Sequence, residues 1–169
     1  MANGDLLTDI LAQAIQAERD GYRFYLMAAQ STQDSKARET FKRLADEELG
    51  HEVYLRVQYR AVAETGAFDA QARLGTQFFY PGESPIFSPE LVGRIGEAHF
   101  EMSALSIAIQ LEINSIKHYQ SAAEQVSDEA AKKVFAELAN WETDHYQMLL
   151  RQQELVRDGY WQANGFAPF

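Results

Sequence analysis

The feature that most constrains this chain is that it contains its own sequence twice. Shifted by 94 residues, Ala14-Ile15-Gln16-Ala17-Glu18 falls on Ala108-Ile109-Gln110-Leu111-Glu112 (112 − 18 = 94). The same shift lays Tyr25 on Tyr119, Ala28 on Ala122 and Ala29 on Ala123. Further along it lays Ala37 on Ala131, Phe41 on Phe135, Leu44 on Leu138 and Ala45 on Ala139, then Glu48 on Glu142 and His51 on His145, with no gap. Seven of 17 positions match over 14–30 and six of 15 over 37–51, where chance gives about one in each. Helical patterning adds a few alanine and leucine matches, but it does not align Glu with Glu and His with His. The fold must therefore be assembled from two copies of one supersecondary unit.

That unit reads as a helical hairpin. From about Leu6 to Gln30, apolar residues recur at three- and four-residue spacing without a proline. Ser31-Thr32-Gln33-Asp34-Ser35 is a polar turn whose Asp or Ser can cap a second helix, which runs to about Glu64. The second repeat opens at Ser88-Pro89-Glu90, with a capping Ser and a Pro at the first helical position, and its helix is expected to continue to about Gln125. Ser127-Asp128-Glu129 caps a fourth helix reaching about Asp158. The stretch Thr65 to Phe87 between the repeats is too long for a simple turn and suits a crossover along the length of a bundle. Only 10 Gly and 4 Pro interrupt 169 residues, and 46% of the chain is hydrophobic, enough for long helices around one core. The expectation is an all-α four-helix bundle from two repeated hairpins. It forms one domain over residues 1–158, with repeats at about 5–64 and 88–158 and an aromatic tail at 159–169.

The repeated polar residues point to chemistry. Glu48 and His51 are three apart and share a helix face, as do Glu142 and His145. Glu18 and Glu48 have their midpoint at residue 33, inside the first turn, and Glu112 and Glu142 have theirs at residue 127, in the second. Residues equidistant from a hairpin turn sit at one height, so Glu18 lies beside Glu48 and Glu112 beside Glu142. If the hairpins pack with pseudo-twofold symmetry, all six groups meet at one level. Apolar neighbours at helical spacing, Ile15 and Tyr22 around Glu18, Leu44 and Ala45 before Glu48, Leu138 and Ala139 before Glu142, turn them inward. Four buried carboxylates repel one another and lose hydration unless cations compensate. Two divalent ions do so, and oxygen and imidazole ligands suit iron or manganese, with zinc as a further candidate.

These residues and spacings resemble the ferritin-like di-iron carboxylate superfamily, closest to its rubrerythrin and bacterioferritin branches, over both hairpins. The resemblance implies two iron ions. It implies that Glu48 and Glu142 bridge them, that Glu18 and Glu112 are terminal ligands, and that His51 and His145 bind one metal each. It also implies an oxidoreductase, of ferroxidase or peroxidase type, acting on dioxygen or peroxide with ferrous iron or an external electron donor. The alternative is iron sequestration without significant turnover. Two departures bear on this. Peroxidase rubrerythrins carry a further Glu three residues after the third-helix ligand, where this chain has Ser115, and a Cys-rich electron-delivery module, where this chain has no Cys.

Several residues have two readings. Tyr25 and Tyr119 lie two helical turns beyond Glu18 and Glu112 and either pack in the core or hydrogen-bond a ligand carboxylate. The residue before each expected bridging Glu is Glu47 in one repeat and Trp141 in the other, so only Glu47 could accept a hydrogen bond from a ligand His; otherwise it is exposed. His99 and His118 have no repeat partner and read as surface or boundary residues, and Glu97, Glu101 and Glu124 as a solvated face. The net charge of −10 leaves no basic stripe for nucleic acid. No apolar run approaches the ~20 residues of a membrane span, and the N-terminus lacks the features of a signal peptide, so a cytoplasmic protein is expected. Tyr160, Trp161, Phe166 and Phe169 in the tail would cover either the end of their own bundle or a second chain, and a homodimer is the expected state.

Overall fold

The computed structural model describes residues 3–75, 77 and 85–165 of the chain. Four long helices make up its body: α1 (Asn3–Ser31), α2 (Ser35–Thr65), α4 (His99–Gln125) and α5 (Glu129–Ala163); a short helix α3 (Pro89–Gly93) and a single 3-10 turn (Ile95–Glu97) precede α4. Helices α1 and α2 pack as one hairpin and α4 and α5 as the other, with α1 lying against α4. The fold is the expected all-α bundle of two hairpins.

Local chemistry sets the ends. Asp34 caps α2 by accepting the Ala37 N–H at 2.8 Å, and Asp128 caps α5 by accepting the Ala131 N–H at 2.8 Å. Ser88 caps α3 ahead of Pro89. Helix α2 stops at Gly66, whose φ of +78° is left-handed backbone that a residue with a Cβ would strain to adopt, and whose N–H bonds the Val62 carbonyl at 2.8 Å. Asp34 does more than cap: its carboxylate also accepts from the backbone N–H and hydroxyl of Ser88, tying the turn of the first hairpin to the start of the second.

The helix expected to run unbroken from Ser88 to Gln125 is instead interrupted between Gly93 and Ala98. Two glycines three apart weaken helical propensity there. The interruption also has a tertiary cause. A Cβ on Gly96 would fall 2.5 Å from the Cβ of Ala163, so the turn is where the end of α5 passes close to the chain. Asn164 Nδ2 donates to the Gly96 carbonyl at 3.0 Å, and the Tyr160 hydroxyl bonds His99 Nδ1 at 2.8 Å. Helix α5 accordingly continues five residues past Asp158, and Tyr160 and Trp161 pack edge to face on this helical extension. Of the aromatic residues in the tail, Phe166 and Phe169 lie outside the described residues.

The crossover is pinned along the bundle. Gln58 clamps Asp69 with both ends of its amide, at 2.8 and 3.1 Å. Phe68 meets the ring of Phe135 on α5, Gln77 donates to Asp144 at 3.1 Å, and the Ile86 N–H donates to Gln152 at 2.8 Å. Those α5 partners span 135 to 152, about 26 Å of helix. The repeat is visible in the core. Tyr25 stacks on Phe41 at 6.3 Å and 23°, and its counterpart Tyr119 stacks on Phe135 at 6.2 Å and 21°. Each tyrosine anchors one of two apolar clusters, one around Leu44, Leu105 and Leu149, the other around Leu11, Leu55 and Leu138. One expected solvated residue is not solvated: Glu101 is buried and accepts a hydrogen bond from Thr32 at 2.7 Å, a second tie between the first turn and α4.

Candidate metal centre

Helix spacing and hairpin register bring all six candidate residues to one level between the two core clusters. Glu18 on α1, Glu48 and His51 on α2, Glu112 on α4, and Glu142 and His145 on α5 are each at most 4% exposed. Their donor atoms form two groups: Glu18, Glu48, His51 and Glu142 in one, and Glu48, Glu112, Glu142 and His145 in the other, with the atoms of each group within 4.8 Å of one another. Glu48 and Glu142 belong to both.

The orientation of each side chain follows this division. Glu142 directs Oε1 to His51 Nδ1 at 3.1 Å and Oε2 to His145 Nδ1 at 3.1 Å, so its two oxygens address the two halves. Glu48 places Oε1 3.8 Å from His145 Nδ1, while its Oε2 lies over Gly21. A Cβ on Gly21 would stand 2.7 Å from that oxygen, so the missing side chain makes room for the carboxylate. Glu18 faces His51 at 3.2 Å and Glu112 faces His145 at 3.8 Å. Both imidazoles present Nδ1 to the carboxylates.

The tyrosines take the hydrogen-bonding reading, and they cross between hairpins. Tyr25 of the first donates to Glu112 of the second, and Tyr119 of the second donates to Glu18 of the first. Burial, reinforced by the charge of the accepting carboxylate, pushes both hydroxyls well above their ordinary pKa, which keeps them protonated as donors.

Glu47 is buried, 4% exposed, and bonds His145 Nε2 at 3.0 Å. The equivalent position is Trp141, whose ring lies 5.1 Å from that of His51, and His51 Nε2 has no hydrogen-bond partner among the described residues. The two halves therefore share a frame but differ in what holds the histidine. His118 is half-buried beside Tyr119, and burial lowers its pKa; His99 bonds Tyr160 at the bundle end. Neither enters the cluster.

The electrostatics mark a site short of positive charge. No Lys or Arg pairs with Glu18, Glu48, Glu112 or Glu142 among the described residues; the two histidines are the cations within reach. Burial, then the charges of Glu142, Glu18 and Glu112, push Glu48 well above the carboxylate range. Burial and Glu142 push Glu112 up to about 8. Burial opposes protonation of His51, but Glu18 and Glu142 override it and raise its pKa to about 10, and His145 is raised for the same reason. Glu142, facing both histidines, is driven down despite its burial. Among the described residues, Glu48 Oε1 is buried with no hydrogen-bond partner, and Glu142 Oε1 has none of good geometry. Orphaned carboxylate oxygens aimed into a ring of oxygen and imidazole donors fit a pair of divalent ions, with two carboxylates shared between them.

A bundle of two antiparallel hairpins around such a cluster is the architecture of the ferritin-like proteins. Within that class the sequence matches the Rubrerythrin family over residues 9–153, and the chain belongs to that family. It is therefore a di-iron carboxylate type of protein with a buried carboxylate–histidine cluster able to hold metal. The solved structure described as "Hypothetical Protein Pfu-1136390-001 From Pyrococcus furiosus" has the same fold, with a TM-score of 0.64 and 24% identity over 90% of this chain and 91% of that one. No curated protein matches at a significant level. Among the described residues no helix is long and apolar enough to cross a membrane.

Proposed function

We propose that this chain is a di-iron oxidoreductase that reduces dioxygen or peroxide, with electrons from ferrous iron or an external donor, and keeps its two irons through the cycle. The observation that carries the reading is the sharing of Glu48 and Glu142 between two otherwise separate donor groups. Glu18 and His51 would complete one iron position and Glu112 and His145 the other. Held by these residues, two ferrous ions would supply the two electrons for the reduction.

The remaining work falls to the protein. Glu142 and Glu48 hold both halves in one electrostatic unit, so charge gained or lost in one is felt in the other. Tyr25 and Tyr119 hold Glu112 and Glu18 from behind and limit how far those carboxylates swing. Core residues above and below exclude bulk water, which strengthens every charge interaction inside.

Retention over transit is favoured by what surrounds the cluster. The positions one turn after Glu18 and Glu112 are Gly21 and Ser115, so no further carboxylate stands there to lead iron away. Anaerobic loading with ferrous iron should saturate at two ions per chain. Exposure to peroxide or oxygen should then oxidise both, and an external reductant should restore them with the iron count unchanged. Glu18→Ala and Glu112→Ala should each slow the oxidation. Iron that leaves the cluster and accumulates at many ions per chain would make storage the better description. Iron bound without oxidation would make it sequestration.

A further inference from the structure

An open-sided groove of about 470 Å³ runs between α1 and α2. Ala12, Ile15 and Ala63 give it apolar walls, and Tyr59 adds a ring that is 39% exposed. Arg19, Arg56 and Arg60 line the same space, with Glu64 near the end of α2. Set against Glu52 and Glu64, the three arginines leave the groove at +1 in a chain whose net charge is −10. A cleft of one sign with apolar walls concentrates ligands of the other.

Glu52 fixes two of these cations. It is buried, and its Oε1 accepts from Nε and Nη2 of Arg19 at 3.2 and 3.1 Å. The same oxygen accepts from Nε of Arg56 at 2.8 Å, with Nη2 of Arg56 also at 2.8 Å. Each guanidinium is held by one edge, and Nη1 of each has no partner among the described residues. Arg60 forms no hydrogen bond or ion pair with any of them. Two donors are therefore set in place before a ligand arrives, which lowers the ordering cost of binding.

A brace between two helices would account for Arg19, Glu52 and Arg56 without any ligand. The repeat tests that reading. The groove between α4 and α5 is lined by Ser106, Gln153 and Arg157, the counterparts of Ala12, Tyr59 and Ala63 at the shift of 94. There the counterparts of Arg19, Glu52 and Arg56 are Ile113, Tyr146 and Leu150, and that of Arg60 is Glu154. Helices α4 and α5 pack as a hairpin without this ion network, so hairpin packing does not call for it. Nor does packing call for Arg60, an exposed cation with nothing to hold.

We propose that the groove between α1 and α2 binds a small organic anion, with an aromatic or other apolar body along Ile15 and Tyr59 and a phosphate or carboxylate head taken by the arginines. Guanidinium groups match both heads in bidentate fashion and stack on rings. The volume lies within the range of pockets for small organic ligands. None of the six residues of the metal cluster lines the groove, and the proposal does not depend on what that cluster does.

Four probes separate head from body: naphthyl phosphate, naphthoate, the headless naphthol, and inorganic phosphate. In fluorescence and calorimetric titrations of the full chain, an anionic naphthyl probe should bind at one site. It should bind about tenfold or more tightly than naphthol or inorganic phosphate. The tighter of naphthyl phosphate and naphthoate identifies the head. Arg60→Glu places the second repeat's residue at an exposed position. It should weaken that binding about 10–100-fold with an unchanged melting temperature. Arg19→Ile/Glu52→Tyr/Arg56→Leu grafts the second groove onto the first and should abolish binding while circular dichroism shows the helices intact. Failure of both anionic probes to bind at millimolar concentration would overturn the proposal. So would naphthol that binds as tightly as either anion, or anion binding that Arg60→Glu leaves unchanged.

Discussion

Gly21 sits in the middle of α1, where a glycine costs about 1 kcal/mol of helix stability relative to alanine. Its backbone is not left-handed, so an alanine fits the helix itself. What an alanine does not fit is Glu48 Oε2, 2.7 Å from the added Cβ. Gly21→Ala should leave the melting temperature of the metal-free protein equal or higher and weaken binding of both metals, because Glu48 serves both halves. Equal metal affinity in the variant, measured by anaerobic titration, would remove the role given to Gly21. Glu47 makes a different prediction. It fixes His145 through Nε2, leaving Nδ1 to face the carboxylates, whereas His51 has the Trp141 ring behind it and no hydrogen-bond partner for its Nε2 among the described residues. Stepwise titration should therefore resolve two unequal binding steps, and Glu47→Gln should weaken one of them by about 10–100-fold. Two equal steps, unchanged in that variant, would sink the idea. The six residues of the buried carboxylate–histidine cluster were legible as a group in the sequence because the repeat filters them: a solvated Glu has no reason to recur in register with its His. Gly21 and the crossed tyrosine bonds were not legible. They depend on which residue of another helix comes close, and periodicity within one helix carries no such information. Glu101 misled for the same reason, since its partner Thr32 lies in the other hairpin.

At the scale of elements, the four long helices follow from periodicity, caps and the shortage of Gly and Pro, and the turns at Asp34 and Asp128 follow from their side chains. The two departures, the break at residues 94–98 and the extension of α5 to Ala163, are one event seen twice. The end of α5 docks on the 3-10 turn through Tyr160 and Asn164, and Gly96 has no Cβ to obstruct it. That contact joins residues more than sixty positions apart, which a reading of local pattern does not reach. The two capping aspartates offer a test of how the hairpins are joined. Loss of a helix N-cap costs about 0.5–2 kcal/mol. Asp128→Ala should cost about that much. Asp34→Ala should cost more, because Asp34 also holds Ser88 at the head of the second hairpin. Hydrogen bonding from Ser88 and from the Ala37 N–H outweighs burial and lowers the Asp34 pKa, so its contribution is present above the ordinary value of 3.8 and disappears on acidification. Denaturant unfolding of the two variants at neutral pH, with equal losses, would show that the tie between hairpins contributes nothing.

For the whole molecule, the metal cluster should make stability depend on pH in opposite ways with and without metal. In the metal-free chain, Glu112 is raised from 4.5 to about 8, Glu48 is raised further above the carboxylate range, and His51 is raised from 6.5 to about 10. Between the ordinary and the raised values the folded state holds protons that the unfolded chain has released. Stability then falls as pH rises, since it rises with pH only where the unfolded state binds more protons. For Glu112 and Glu48 the loss begins above the ordinary carboxylate value, and for His51 above the ordinary imidazole value. Glu142 works in the other direction, but its lowered pKa matters only in acid. The melting temperature of metal-free protein should therefore drop from about pH 6 to about pH 9. Divalent ions take the place of those protons, so binding must release them and tighten as pH rises. The gain in melting temperature on adding anaerobic ferrous iron, or zinc as a redox-silent substitute, should consequently be larger at pH 8.5 than at pH 6. Calorimetric titration in buffers of different ionisation enthalpy should count the protons released. A metal-free melting temperature that climbs over this range, or a metal-induced gain indifferent to pH, would mean that the four carboxylates do not carry the buried charge assigned to them.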